Sequence, residues 1–137
     1  MSTAQSTKIP VLIARIILGL IYFVFGLNFF FHFIPQGPVP TGTAGAFLGG
    51  LFQSGYLFPL IKAIEVVCGA LLLLGIYIPL ILIVLMPISV NILLFHAILE
   101  PGGAPISISL LIIISQLYLA WAYRGYYKQL FIHKASL

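Results

Sequence analysis

Four long apolar stretches account for most of the chain, and they are separated by short segments that contain polar residues, glycine or proline. They cover residues 11–34, 56–74, 79–99 and 105–123. Each is long enough to cross the hydrocarbon core of a bilayer, which is roughly 30 Å thick. Because a backbone inside that core must satisfy its own hydrogen bonds, each stretch is predicted to be an α-helix. Pro79 and Pro105 suit the first turn of a helix, and Gly75 suits a helix end.

The connection between the first two stretches, residues 35–55, is long for so small a bundle. Its first part, residues 35–40, is rich in proline and typical of a turn. Its second part, residues 43–52, is apolar but too short to span, so we predict an interfacial or re-entrant helix there. That helix is either a lid over the mouth of the bundle or a connector that lies along the membrane.

The predicted fold class is an all-α membrane protein, a four-transmembrane-helix bundle with a short interfacial or re-entrant helix between helices 1 and 2. Composition supports this class, because 62% of the 137 residues are hydrophobic and only 6% are charged. A soluble domain of this size could not bury so much apolar surface. We expect one domain over residues 1–137. The single cysteine, Cys68, argues against dithiol–disulfide chemistry by this chain alone.

The basic residues predict how the bundle lies in the membrane. Lys8 and Arg15 stand near the start of the chain, and Arg124, Lys128 and Lys134 stand near its end. The loops after the first and third stretches contain no lysine or arginine. We therefore expect an integral protein of the cell (inner) membrane with both termini cytoplasmic. The net charge of +4 is scattered in this way and does not indicate nucleic-acid binding.

The few polar residues within the apolar stretches are the best guide to function, since a charge at membrane depth costs roughly 3 kcal/mol. Glu65 is the clearest case, and Lys62 lies one helical turn before it. With the expected topology, the polar positions concentrate in the outer half of the bundle. The candidate residues are Asn28 and His32 in the first stretch, Lys62 and Glu65 in the second, and Asn91, His96 and Glu100 in the third.

Asn91 and His96 are five positions apart, which is about 140° around a regular helix at about 100° per residue. Both side chains can face one spot only if the helix is distorted. Pro87 lies inside the same stretch and makes such a distortion possible.

Several ligands can be weighed against these residue types. A quinone or a similar flat apolar molecule needs an apolar slot with one or two polar groups at its carbonyl ends, and a histidine or carboxylate would exchange protons with it. A haem held by His32 and His96 is the weaker interpretation, because two histidines are a weak signal. A metal site formed by His32, His96, Glu65 and Glu100 is chemically allowed, but no Glu-x-x-His motif is present, so this interpretation is as weak as haem.

The same polar residues also have purely structural interpretations. Asn28 and Asn91 would then join helices by hydrogen bonding. His32 and Glu100 would lie at the level of the lipid headgroups, and Lys62 would only neutralise Glu65.

Several blocks of the sequence follow one another in a recognisable order and spacing: residues 15–20, residues 25–35 with Asn28 and His32, residues 46–49, residues 54–56, the Glu65 segment, residues 91–96, residues 101–103 and residues 117–124. In this order and spacing the chain resembles the DoxX family of membrane proteins over nearly its full length. The resemblance implies a compact four-helix membrane bundle. The family takes its name from subunits associated with thiosulfate oxidation and quinone reduction, and other members are partners in membrane oxidoreductase complexes or act in resistance to reactive quinones and thiols. Kinship of this kind does not fix an activity.

These observations lead to a working hypothesis of a redox-linked membrane protein that binds a quinone or similar apolar molecule at the outer mouth of the bundle. If the chain is an enzyme, it would be a quinone-linked oxidoreductase subunit in which Glu65 and His96 exchange protons. Asn28 and Asn91 would orient the ligand. The remaining ligand-binding candidates are His32, Lys62 and Glu100.

The alternative is a non-catalytic scaffold or assembly partner of an oxidoreductase complex. Its polar cluster would then grip a membrane or periplasmic redox protein, or hold its own helices together. A homo-oligomer is a further possibility, since Gly69 and Gly75 permit close packing with a neighbour. The lipid bilayer is the partner that both interpretations share.

Overall fold

The computed structural model describes residues 3–101 and 105–136, with side chains described from residue 8 onward. The elements are α1 (Thr3–Phe31), α2 (Gly42–Gln53), α3 (Leu57–Leu74), α4 (Ile78–Leu94) and α5 (Pro105–Ala122). A π-helical turn, Phe95–Leu99, continues α4, and a 3-10 helix, Arg124–Phe131, follows α5. Within these described ranges there is no β-strand.

Four helical segments are long and apolar enough to cross a membrane: Lys8–Phe31, Leu57–Leu74, Ile78–Leu99 and Pro105–Ala122. The short helix α2 lies between the first two of them, where the sequence predicts it. The structure therefore confirms the four-helix class with its extra short helix. Large apolar side chains cover the outside of the bundle, as expected when lipid rather than water is the solvent.

The bounds of α1 differ from the predicted residues 11–34. The helix begins at Thr3, because the polar residues before the apolar stretch continue the helix and hydropathy does not reveal them. It ends at Phe31, because His32 takes a left-handed conformation with φ 51°. The backbone N–H of His32 still donates to the carbonyl of Asn28, at 2.8 Å, and closes the last turn.

Gly75 ends α3 as predicted, with φ 77° in the left-handed region. Its N–H donates to the carbonyls of Leu71 and Leu72, which α3 would otherwise leave without partners. Tyr77 is also left-handed, with φ 56°, and α4 starts at the next residue. The turn between α3 and α4 is therefore tight, and the two helices run antiparallel.

Glycines bring α1 and α3 unusually close together. A Cβ atom at Gly69 would lie 2.5 Å from the backbone nitrogen of Phe23, and one at Gly26 would lie 2.7 Å from Cγ2 of Val66. Small residues that let backbones approach are a common basis for helix packing in membranes. Gly69 thus serves a contact within this chain, between α1 and α3.

Candidate functional site

A cavity of about 510 Å³ lies at the end of the bundle where α1 ends and α5 begins. We call it the α2 cavity, because α2 forms one of its walls and α3 and α4 form the others. Its size falls within the roughly 300–1,000 Å³ that is typical of small-molecule sites. The apolar lining comes from Pro38, Pro40, Phe47, Leu48, Leu51, Phe58, Ile61, Pro87, Ile88, Ile92 and Phe95.

Five of the seven candidate residues line this cavity: Lys62, Glu65, Asn91, His96 and Glu100. They come from α3, from α4 and from the segment that follows it, which the antiparallel turn at Gly75 places side by side. The structure therefore brings together polar groups that are up to 38 positions apart (100 − 62 = 38). The prediction that these residues bind a ligand remains a prediction.

Lys62 and Glu65 form an ion pair on one face of α3, with Nζ of Lys62 2.9 Å from Oε2 of Glu65. Glu65 is only 3% exposed, so its charge depends on this partner. The ammonium of Lys62 also lies 5.4 Å from the ring centroid of Phe58, within the range of a cation–π contact. A carboxylate this deep in a bundle is tolerated because it is paired and hydrogen-bonded.

A π-helical turn carries His96 into the cavity wall. In this turn the N–H of Glu100 donates to the carbonyl of Phe95, five residues earlier, at 3.0 Å. Asn91 and His96 both line the cavity, and the wider turn begins one residue before His96. It starts at Phe95, whereas α4 stays α-helical through Pro87 as far as Leu94.

The imidazole of His96 has an unused polar atom. Nδ1 of His96 lies 3.6 Å from Oε2 of Glu100, which is too far for a hydrogen bond. Within the described part of the chain, this nitrogen is buried and has no hydrogen-bond partner. Buried polar atoms are normally satisfied, so this nitrogen is an exception among the polar atoms of the described residues.

Asn28 and His32 stand apart from the other five candidates, at the end of α1. The side chain of Asn28 accepts a hydrogen bond from the backbone N–H of Ile34, at 2.7 Å, and so holds the chain where it leaves the helix. His32 is exposed. Neither residue is part of the lining of the α2 cavity. Their predicted roles in binding a ligand remain untested.

A second cavity of about 280 Å³, which we call the α5 cavity, lies between α1, α3, α4 and α5. Tyr22 and Ser109 contribute to its lining. Four residues line both cavities, and they are Lys62, Glu65, Ile92 and His96. The ion pair and the imidazole therefore form a wall shared by two compartments.

A buried polar network that the sequence analysis did not identify crosses the middle of the bundle. The hydroxyl groups of Tyr22 and Ser89 are hydrogen-bonded, and Ser89 donates to the side-chain oxygen of Gln116. Gln116 in turn donates to the carbonyl of Leu82, at 2.8 Å. The network ties α1, α4 and α5 together. Tyrosine and serine are too common in membrane helices for the sequence to single them out, so only Gln116 offered a signal.

The arrangement suits the binding of a small apolar molecule that has a polar end. Two carboxylates, an ammonium, an imidazole and an amide line an otherwise apolar slot, and they come from α3, from α4 and from the segment after α4. Over the residues described here, no group of three or more histidine, cysteine or acidic side chains is placed to hold a metal ion.

The family model described as DoxX matches residues 10–97. The matched segment contains the shared wall of the two cavities and ends before Glu100 and α5. No curated protein and no solved structure matches the chain.

Proposed function

The chain belongs to the DoxX family of membrane proteins, and on that basis we propose that it binds a quinone or a similar flat apolar molecule in the α2 cavity. The observation that carries the proposal is the α2 cavity itself. Its lining is mostly apolar, its volume suits a small molecule, and its polar groups come from α3, from α4 and from the segment after α4.

The polar groups match the needs of a quinone ring. An imidazole N–H or an amide N–H donates to a carbonyl oxygen, so His96 and Asn91 are the natural partners for the two ends of the ring. Aromatic side chains of Phe47 and Phe58 line the same space and offer faces for a flat ring.

The same residues support a redox-linked role. Reduction of a quinone to a quinol takes two electrons and two protons. Glu65 and His96 are the proton-exchanging groups of this proposal, since both can gain and lose a proton next to the ring. The electrons would come from a partner protein in the membrane or the periplasm. We place the cavity at the outer face of the inner membrane, with both termini cytoplasmic, because of the distribution of basic residues.

Specific contacts favour a second candidate function, that of a non-catalytic scaffold or assembly partner. The amide of Asn28 and the network of Tyr22, Ser89 and Gln116 bind the chain's own atoms. Polar side chains in this bundle therefore do serve to hold it together. On that interpretation the Lys62–Glu65 pair is also structural, and the α2 cavity holds only lipid.

The experiment that decides between them is mass spectrometry on an organic extract of the gently purified protein. The reference is an extract of an unrelated membrane protein from the same host. We expect a stoichiometric quinone or similar molecule, and we expect Glu65→Gln and His96→Ala to reduce it strongly. The matched control is His133→Ala, which removes an exposed histidine at the other end of the bundle. An extract that equals the reference would reject ligand binding and favour the scaffold.

A further inference from the structure

A groove of about 510 Å³ lies at the other end of the bundle, where α1 begins and α5 ends. We call it the basic groove, because Lys8, Arg15 and Arg124 all line it. The rest of its lining is Val11, Leu12, Trp121, Ala122 and Tyr123. Nothing in the proposed function of the α2 cavity uses this groove.

The charge of the basic groove is not balanced by any acidic side chain. The chain contains only 2 acidic residues, and these are Glu65 and Glu100. Both line the α2 cavity at the opposite end of the bundle. No acidic side chain of this sequence neutralises the three basic side chains of the groove, and this favours an anionic ligand.

The side chain of Arg15 packs against the end of α3. The structure packs its guanidinium against the end of α3, so closely that a Cβ atom at Gly75 would lie 2.7 Å from Nη1 of Arg15. The Nε of Arg15 is buried, so the terminal nitrogens Nη1 and Nη2 are the atoms through which this guanidinium would bind a ligand. A guanidinium offers five N–H donors in a planar fork, which matches the oxygens of a phosphate.

Arg124 is positioned by the neighbouring tryptophan. Its Cζ lies 4.5 Å from the ring of Trp121, and its Nη1 donates to the carbonyl of Trp121 at 2.8 Å. Stacking and one hydrogen bond fix the plane of the guanidinium and leave its other donors available. Two arginines are thus ordered in one groove before any ligand arrives.

The position of the groove indicates where the anion comes from. The first membrane-spanning segment begins at Lys8, and the fourth ends at Ala122. The groove, which both residues line, therefore lies where lipid headgroups meet the hydrocarbon core. Val11, Leu12 and Trp121 provide apolar surface beside the charges. Basic pockets between membrane helices bind anionic headgroups by this combination. We propose that the basic groove binds the phosphate group of an anionic phospholipid.

Trp121 is the only tryptophan in the chain, so its fluorescence reports on this groove alone. The protein is reconstituted in vesicles of ordinary phosphatidylcholine that contain a small fraction of a brominated lipid. In one series this lipid is phosphatidylglycerol with brominated acyl chains, and in the other it is phosphatidylcholine with brominated acyl chains. Bromine quenches tryptophan only at close range. We expect brominated phosphatidylglycerol to quench Trp121 at a lower mole fraction than brominated phosphatidylcholine. Equal quenching by the two lipids would overturn the proposal.

Variants distinguish a specific lipid-binding site from the general attraction of anionic lipids to a basic surface. Arg124 is exposed, so Arg124→Gln should fold, and we expect it to lower the preference for phosphatidylglycerol roughly fivefold. Arg15→Gln should act in the same direction. Lys134→Gln removes the same charge outside the groove and should leave the preference unchanged. If Lys134→Gln lowers the preference as much as Arg124→Gln does, the groove is not a specific site.

Inorganic phosphate distinguishes the two sources of the anion. Phosphate and chloride are added to separate samples at the same ionic strength. Phosphate should relieve quenching by brominated phosphatidylglycerol no more than chloride does. Relief by phosphate alone would show that the groove takes the ion from water, and it would reject the lipid as the ligand.

Discussion

Nζ of Lys62 lies 2.9 Å from Oε2 of Glu65, yet the two partners are buried to different extents, with side chains 18% and 4% exposed. The lysine can redirect its flexible stem towards the mouth of the cavity, whereas the carboxylate has no such route. Removing one partner therefore does not have the same consequence as removing the other.

We predict that Lys62→Met destabilises the protein more than Glu65→Gln does. Lys62→Met leaves a buried carboxylate without its counter-ion, for which we expect a loss of about 3 kcal/mol in the free energy of unfolding. Glu65→Gln leaves a cation that can reach solvent, so we expect a small loss or none. Thermal unfolding in detergent measures both, and the double variant should recover part of the loss of Lys62→Met. A larger loss of stability for Glu65→Gln than for Lys62→Met would contradict the deeper burial of the Glu65 carboxylate.

The contact between α1 and α3 gives a second prediction. The methyl group of Gly69→Ala would lie 2.5 Å from the nitrogen of Phe23 and 2.9 Å from the carbonyl oxygen of Gly19, so the helices would have to separate. We expect a loss of about 2 kcal/mol in the free energy of unfolding. Gly50→Ala is the control, because nothing lies within 4 Å of a Cβ atom there. Equal melting temperatures for the two variants would contradict the close packing.

The wall formed by α2 gives a third prediction, which depends on the proposed function. Leu48 lines the α2 cavity, and Ala46 lies on the exposed side of the same helix. Leu48→Trp should fill the cavity and weaken binding of a decyl-substituted benzoquinone by about tenfold, which corresponds to 1.4 kcal/mol. Ala46→Trp should leave the binding unchanged. Ligand-induced shifts in melting temperature measure both, and a similar response from the two variants would exclude the α2 cavity as the site.

Tyr127 gives a prediction about alkaline pH. Its hydroxyl donates to the carbonyl of Pro79, at 2.9 Å, and so ties the 3-10 helix Arg124–Phe131 to the start of α4. Desolvation raises the pKa of Tyr127 above its ordinary value of 10.0. The unfolded chain therefore ionises this phenol at a lower pH than the folded protein does, and the contribution of Tyr127 to stability declines as the pH rises past 10.0.

We accordingly expect Tyr127→Phe to cost about 1 kcal/mol near neutral pH, the usual net value of a hydrogen bond. The difference from the original protein should shrink above the ordinary pKa. Tyr126→Phe is the control, since Tyr126 is exposed. Melting temperatures measured across the pH range test this, and a difference that grows at alkaline pH would contradict the assigned direction.

Hydropathy predicts the spans of this bundle well and its local distortions poorly. The predicted end of α3 at Gly75 is confirmed, because only a left-handed residue closes that turn, and glycine takes this conformation without strain. The start of α1 was predicted too late, since residues 3–8 are polar and lie outside any apolar window. The π-helical turn at Phe95 has no pattern in the sequence, because its hydrogen bonds are made by the backbone.

The sequence likewise predicts some residues of the candidate site and misses others. Charge at membrane depth pointed to Lys62 and Glu65. Polarity within an apolar stretch pointed to Asn91 and His96, although their spacing on a regular helix argued against a shared site. The structure gathers these four around one cavity. Asn28 stands apart, because an amide three positions from the end of a helix can serve the backbone of the following turn as readily as a ligand. Tyr22 and Ser89 escaped notice because they carry no charge, and their burial depends on which helices become neighbours.

The glycine contacts between α1 and α3 also decide which parts of the bundle are free to move. Near Gly69 and Gly26 no room is left for even a methyl group between the two helices, so we expect α1 and α3 to move together. The α2 cavity lies on the other side of α3, bounded by α2 and α4. A guest larger than this space would be admitted by a hinge movement of α2 or α4, while α1 and α3 remain the fixed frame.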